Sequence, residues 1–255
     1  MTMRIPSSQR IVRDYVALTK PRILSLLLLT ALGGMFLAAG GFPNPSLVIF
    51  VLGGGALAAG GAQSLNHGLE KDLDGLMKRT RDRPVASGRV SPGKAMAFGV
   101  ALNVIAFSVL WLLVNPLSAI LTMSATLFYV LVYTIALKRF TSQNIVIGGA
   151  AGAVPPMVGW VAVTGNLSLS AIGLFAIIFF WTPPHFWALS LLIKDDYARA
   201  GVPMLPVVTS VSNTKKQILL YTLLLVTLTL VFFSTRSVGW VYLGAAITLG
   251  FIMVY

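Results

Sequence analysis

Seven apolar runs of about 20 residues recur along this chain, at roughly 23–40, 46–65, 95–114, 117–137, 144–164, 168–192 and 217–235. Each is long enough to cross the ~30 Å hydrocarbon core of a bilayer as a helix rising 1.5 Å per residue. Lipid offers no hydrogen bonds, so every backbone N–H and C=O in such a run must be satisfied internally. The expectation is an all-α, polytopic transmembrane bundle. A soluble helical core is excluded, because a chain that is 56% hydrophobic and 10% charged has too little polar surface to cover it. An eighth run begins near 238 and reaches Tyr255 short of a full crossing, so residues 1–255 are expected to be a single membrane domain truncated at its carboxyl end. Residues 1–20 lack the apolar stretch and cleavage site of a secretory signal.

Charge is sorted by loop. Arg4, Arg10, Arg13, Lys20 and Arg22 precede the first run, Lys71 to Lys94 follow the second, Lys138 and Arg139 the fourth, and Lys194 to Lys216 the sixth. Segments 41–45, 115–116 and 165–167 carry no charge, and only Arg236 departs from the pattern. This is the positive-inside rule, which puts the amino terminus and the even-numbered loops in the cytoplasm. The net charge of +12 is thus mostly topology. It points to a lipid bilayer as partner and not to nucleic acid. Absence of cysteine excludes disulfides, zinc–thiolate sites and thiol nucleophiles. A bacterial plasma membrane is expected, since no Arg/Ser-rich presequence precedes the first run.

Against this basic background stand seven acidic residues, six of them in two short stretches on the same predicted side: Glu70, Asp72, Asp74 and Asp82, then Asp195 and Asp196. Asn66, Glu70 and Asp74 are spaced i, i+4, i+8, which on one helix places them near a common face in steps of about 6 Å. Leu65, Leu69, Leu73 and Met77 form a parallel apolar stripe that can anchor the segment. Carboxylates at a helix carboxyl terminus repel one another and oppose the macrodipole, so they need cations. Oxygen-only ligands at this spacing suit Mg²⁺ held together with phosphate oxygens. The run Lys78-Arg79-Thr80-Arg81-Asp82-Arg83-Pro84 follows, and Pro84 turns it back toward the acids. It is either a solvated loop touching anionic lipid or an anion clamp in which arginine forks grip a diphosphate.

Asn66-x3-Glu70-x3-Asp74, then Arg79-Thr80-x2-Arg83-Pro84 and Ser87-Gly88, resembles the first motif of the UbiA-type intramembrane prenyltransferases. Glu70 at the middle position is a conservative departure that keeps an all-oxygen site. The family's second motif is usually a spaced aspartate pair. Adjacent Asp195 and Asp196, with Arg199 and Ala200 where a later carboxylate is expected, are instead similar to its haem-prenylating branch. Tyr133-Thr134-x2-Leu137-Lys138-Arg139, the segment Gln143 to Ala153, Pro155-Pro156-x2-Gly159-Trp160 and the run Trp181 to Trp187 resemble the same branch.

The resemblance implies a family bundle of nine helices, about eight of them here. It implies farnesyl diphosphate as donor, protoheme IX (haem B) as acceptor at a vinyl group, Mg²⁺ as cofactor, and haem O and diphosphate as products. It assigns metal binding to Asn66, Glu70, Asp74, Asp195 and Asp196, with catalysis centred on Asn66, Glu70 and Asp74. Diphosphate contacts fall to Arg79, Arg83, Lys138, Lys194, Arg22 and Tyr133.

Lys138 and Arg139 can equally be the ordinary cap of the fourth run. Gly148, Gly149 and Gly152 are read as a small-residue face for close helix approach, with no chemistry. Pro155-Pro156 and Pro183-Pro184 are expected to break or kink their helices. His185, ionisable and well inside a run, is a candidate contact to haem iron or a propionate, or a partner for a freed carbonyl. His67 is a candidate haem contact or a headgroup-facing side chain. Two other readings stand beside this one. A prenyltransferase acting on an aromatic quinone precursor would share the first motif but show a spaced second aspartate pair. A transporter would place its polar groups near the bilayer midplane, whereas these lie at one face.

Overall fold

The computed structural model describes residues 7–254, so Arg4 and Tyr255 lie outside the described residues. In chain order the helices are α1 (Ser7–Leu18), α2 (Pro21–Ala39), α3 (Pro45–Leu69), α4 (Lys71–Leu76), α5 (Pro92–Leu113) and α6 (Pro116–Leu127). A π-helix (Phe128–Leu137) continues α6, followed by α7 (Asn144–Thr164), α8 (Leu169–Leu192), α9 (Lys194–Arg199), α10 (Leu205–Val208), α11 (Val211–Phe232) and α12 (Trp240–Val254). Seven of these segments are long and apolar enough to cross a membrane, and they coincide with the seven runs of the sequence; α12 is the shorter eighth.

Local chemistry sets where each span starts. Asn44, Ser91 and Asn115 each accept a backbone N–H of the following turn, and Pro45, Pro92 and Pro116 occupy the first helical position, where no N–H is needed. At the uncharged end of the bundle the spans stop on Gly40 and Gly165, both left-handed with φ of 62° and 72°. Turns there are short, whereas the charged end carries the long segments 70–91 and 193–210.

Polar and apolar surfaces are arranged for lipid. Leu26, Leu112, Val104, Leu220 and Leu249 point outward from the spans and are exposed. Association between spans then depends on close backbone approach more than on hydrophobic burial. Gly61 and Gly99 bring α3 and α5 together, a Cβ on either falling 2.7 Å from the other's carbonyl oxygen. Gly34 and Gly159 do the same for α2 and α7, where a Cβ would meet Pro156 O at 2.1 Å and Ala31 O at 1.9 Å.

Two sequence expectations are corrected here. Of the break or kink expected at the proline pairs, the break is absent, for α7 runs through Pro155-Pro156 and α8 through Pro183-Pro184. Neighbouring helices hold such segments in place even though Pro155 and Pro156 offer no N–H to the carbonyls of Ala151 and Gly152. The single helix expected to carry Asn66, Glu70 and Asp74 is in fact two, meeting at Glu70.

Candidate active site

Glu70 is the hinge of the first acidic segment. It leaves helical geometry at φ −106°, ψ 21°, yet Glu70 N still bonds Asn66 O and Asp74 N still bonds Glu70 O, both at 2.9 Å. The predicted face therefore survives the break. Asn66, Glu70 and Asp74 are 2%, 1% and 3% exposed, so three ionic or strongly polar groups are withdrawn from solvent at one end of the bundle. Burial of this kind is tolerated only with partners.

The partners are cations from three other segments. Lys138 Nζ donates to Glu70 Oε2 at 2.5 Å, and Arg83 Nη1 donates to both Asp74 oxygens at 2.8 and 3.0 Å. Lys20 Nζ donates to Gln63 Oε1 at 2.7 Å and Asn66 Oδ1 at 3.2 Å. Thr80 fixes the returning basic loop by donating to Asp74 O at 2.8 Å. Arg139 forks onto Asp72 at 2.7 and 2.8 Å and also reaches Leu69 O, so it fastens the end of α3. Of the tandem Lys138-Arg139, the first enters the cradle and the second acts as a clasp.

In the sequence Lys20 belongs to a basic flank explained mainly by topology, and its place in the cradle comes from the backbone. It sits before Pro21 in a left-handed conformation, φ 51°, which turns its side chain off the axis of α2. Burial, then the charges of Arg83 and Lys138, push its ammonium down to about 7, against the opposing pull of Asp74 and Glu70. Arg22, the residue nominated from sequence, is exposed and is not brought into the cradle.

A π-helix aligns the fourth span with the site. Its wider turn, closed by Lys138 N to Tyr133 O at 2.9 Å, brings Tyr129, Tyr133, Thr134 and Lys138 to one side. Thr134 Oγ1 accepts from Asn66 Nδ2 at 3.3 Å, Tyr129 donates to Gln63 Oε1 at 3.3 Å, and the Tyr129 and Tyr133 rings stack at 5.4 Å. Lys138 Nζ lies 6.0 Å from the Tyr133 ring centre. Gln63 and Tyr129 carried no motif signal, whereas Thr134 stands inside the Tyr133-to-Arg139 run.

The second acidic segment docks on the first through apolar packing. Leu73 and Met77 share a buried cluster with Ile145, Tyr197, Val202 and Met204. Arg79 N then donates to Asp196 Oδ2 at 3.3 Å, and Asp196 also pairs with Arg199. Desolvation works against the Asp196 carboxylate, but the Arg79 N–H and the Arg199 charge outweigh it and hold its pKa below the usual range. Burial raises the hydroxyl of Tyr197, which lies beside the Arg79 guanidinium. Asp195 is exposed and Lys194 half-buried at the start of α9. Among the described residues no three acidic or histidine side chains close into a ready metal cage. The five oxygen-bearing residues named from sequence thus sit on two adjoining segments instead of one tight cluster.

An apolar cavity of about 350 Å³ opens directly below this cradle. Gln63, Tyr129, Tyr133 and Ile145 line its mouth, and the walls come from α2, α3, α6, α7 and α8. Thr182 and Phe186 of α8 face it, whereas His185 is exposed on another side of that helix and stacks on Trp181 at 4.2 Å. His67 is 1% exposed, with neither ring nitrogen hydrogen-bonded, so it does not face headgroups.

The family model described as "UbiA prenyltransferase family" matches residues 27–255. A protoheme IX farnesyltransferase of Symbiobacterium thermophilum is 53% identical over 251 residues, covering 98% of this chain and 84% of the relative. One of Gloeobacter violaceus is 52% identical over 246 residues, covering 96% and 81%. One of Chloroflexus aurantiacus is 50% identical over 245 residues, and the chain spans only 42% of its length. Among solved structures, a UbiA homolog from Archaeoglobus fulgidus bound to GPP and Mg²⁺ superposes with a TM-score of 0.75 at 18% identity, covering 94% of this chain and 86% of that one. The apo UbiA homolog of Aeropyrum pernix K1 also reaches 0.75, at 20% identity, covering 92% and 86%. Likeness at such identities speaks for the fold.

Proposed function

The chain belongs to the UbiA prenyltransferase family, and we propose that it transfers the farnesyl group of farnesyl diphosphate to a vinyl group of protoheme IX, giving haem O and diphosphate. One observation carries the assignment of roles: a buried oxygen set ringed by Lys20, Arg83 and Lys138 stands at the mouth of an apolar cavity. Cations belong with the diphosphate and the cavity with the prenyl chain.

Mg²⁺ fits the residues present. Asn66, Glu70 and Asp74 offer oxygen alone, and Glu70 Oε1 is buried without a hydrogen-bond partner. These three would hold the ion on one segment, with Asp195 and Asp196 on the other. When bound, Mg²⁺ supplies neutralisation of charge on the leaving diphosphate.

The remaining work falls to the chain itself. Lys138, Arg83 and Lys20 grip the diphosphate, with Arg79 and Lys194 at its outer edge. The positive charge of Arg83 and Lys138, joined by that of Lys20 as an arriving diphosphate favours its ammonium form, stabilises the negative charge that develops as the allylic C–O bond breaks and diphosphate leaves with the electron pair. Tyr133 and Tyr129 line the cavity beside the cradle, where aromatic rings can stabilise the allylic carbon as it becomes cationic. The apolar walls keep water from that carbon. The haem vinyl π electrons form the new C–C bond, and water adds to the resulting cation with loss of one proton, which leaves the hydroxyethylfarnesyl side chain of haem O. The amino terminus and the site face the cytoplasm of a bacterial plasma membrane, in keeping with the charge of the loops.

Purified membranes given haem B, farnesyl diphosphate and Mg²⁺, with and without chelator, test the proposal by mass analysis for haem O. A chelator-sensitive product that disappears in Asp74→Ala supports it. Transfer to an aromatic quinone precursor but not to haem would discard the acceptor, and full activity of inserted Asp74→Ala would discard the metal assignment.

A further inference from the structure

We infer that the open space beside Gly152, together with the floor sealed behind it, sets the length of prenyl chain this protein accepts; the inference rests on the cavity's being the donor's prenyl site. The three glycines of α7 at the cavity differ in what surrounds them. A Cβ at Gly148 would fall 2.2 Å from the Tyr133 ring, and one at Gly149 3.0 Å from Thr182 Cγ2. Those two are packing positions. A Cβ at Gly152 meets nothing within 4 Å, although the residue lines the cavity and sits in mid-helix. Glycine weakens a helix there, and no helix crossing at this point requires it. What its missing side chain leaves is room in the cavity.

Depth identifies what occupies that room. Asn144 begins α7 beside the cradle, its Nδ2 facing Lys138 O at 3.5 Å. Gly152 lies eight residues further in, roughly 12 Å along the helix axis. A donor anchored by its diphosphate therefore meets Gly152 with its tail and not with its reacting carbon. Beyond it the cavity ends on Ala31, Val51 and Val158, all buried. Just past that floor the Gly34–Pro156 and Gly159–Ala31 backbone contacts close α2 onto α7. The cavity has a fixed bottom, and Gly152 guards the last part of it.

Competition binding tests this without the acceptor, using labelled farnesyl diphosphate with Mg²⁺ against dimethylallyl, geranyl, farnesyl and geranylgeranyl diphosphates. Gly152→Leu should weaken farnesyl diphosphate by about 10–200-fold, the range by which apolar pockets discriminate one or a few carbons. Dimethylallyl diphosphate should stay within about threefold of wild type, because its chain ends short of the position. Val51→Ala, which lowers the floor, should improve geranylgeranyl relative to farnesyl diphosphate. Gly152→Ala keeps the test decisive if the leucine variant does not fold, with a smaller shift in the same order. Equal losses for short and long donors, or no change in any, would overturn the inference. If wild-type protein binds none of the four, the donor reading itself fails, and this inference with it.

Discussion

Replacing Gly159 by alanine should destabilise the protein, whereas the same replacement at Gly152, about two turns earlier on α7, should not. At Gly159 the new methyl would sit 1.9 Å from Ala31 O and 2.8 Å from Ala31 C, backbone atoms that cannot swing away. Helices α2 and α7 would have to separate by roughly 1 Å or more, and a gap of that size forfeits a quarter to a half of each dispersion contact along the crossing. An overpacking cost of about 3 kcal/mol, less about 1 kcal/mol of gained helix propensity, leaves a loss of about 2 kcal/mol. At 2–4 °C per kcal/mol for a chain of this size, Tm should fall by about 4–8 °C. Gly152→Ala meets no atom within 4 Å, so only the propensity term remains and Tm should hold or rise by a few degrees. Thermal unfolding in detergent, followed by the fluorescence of Trp160 and the other tryptophans, reads both variants. Equal Tm values, or a larger loss at Gly152, would refute the claim that one glycine is a helix contact and the other an opening.

Three further outcomes are expected. Lys20→Ala should raise KM for farnesyl diphosphate by about tenfold or more, the worth of a charge-assisted contact, while Arg22→Ala leaves it unchanged; steady-state kinetics separates the two. His185→Ala should retain turnover, since the ring stacks on Trp181 away from the cavity. Loss of activity with unchanged donor binding would restore His185 as a haem contact. Asp72→Asn should cost under about 1 kcal/mol, because the Asp72–Arg139 pair is half exposed. Its hydrogen bonds from Arg139 lower the folded pKa of Asp72 below 3.8. That stability is therefore complete above the unfolded value and is lost as pH falls through the folded one, so variant and wild type should converge in Tm at acid pH.

How much of the site was legible follows from what kind of signal each residue sent. Asn66, Glu70 and Asp74 announced themselves because rare carboxylates stood at helical spacing, and the two backbone bonds across the break at Glu70 preserve that spacing. Arg83 and Lys138 were legible as charge beside charge. Lys20 was hidden, since its sequence neighbours read as an ordinary basic flank and only a left-handed backbone turns it inward. Tyr129 was hidden for a related reason: a π-helix shifts which residues share a face, and a 3.6-residue period does not anticipate it.

By itself the sequence determined the spans, their number and the side on which the acids gather, because hydrocarbon thickness and backbone satisfaction act on each segment alone. It also marked the acidic face itself, because rare carboxylates at helical spacing are visible within one segment. Tertiary structure alone decided which cation meets which carboxylate, since Lys138–Glu70 and Lys20–Asn66 join segments 68 and 46 residues apart. It decided that His185 faces outward and His67 inward, for orientation depends on which neighbour a helix packs against. It also decided the meaning of three glycines with one sequence signature: two are filled by Tyr133 and Thr182 from other helices, and the third opens on a cavity. Free space belongs to no single segment, so only the assembled bundle could show it.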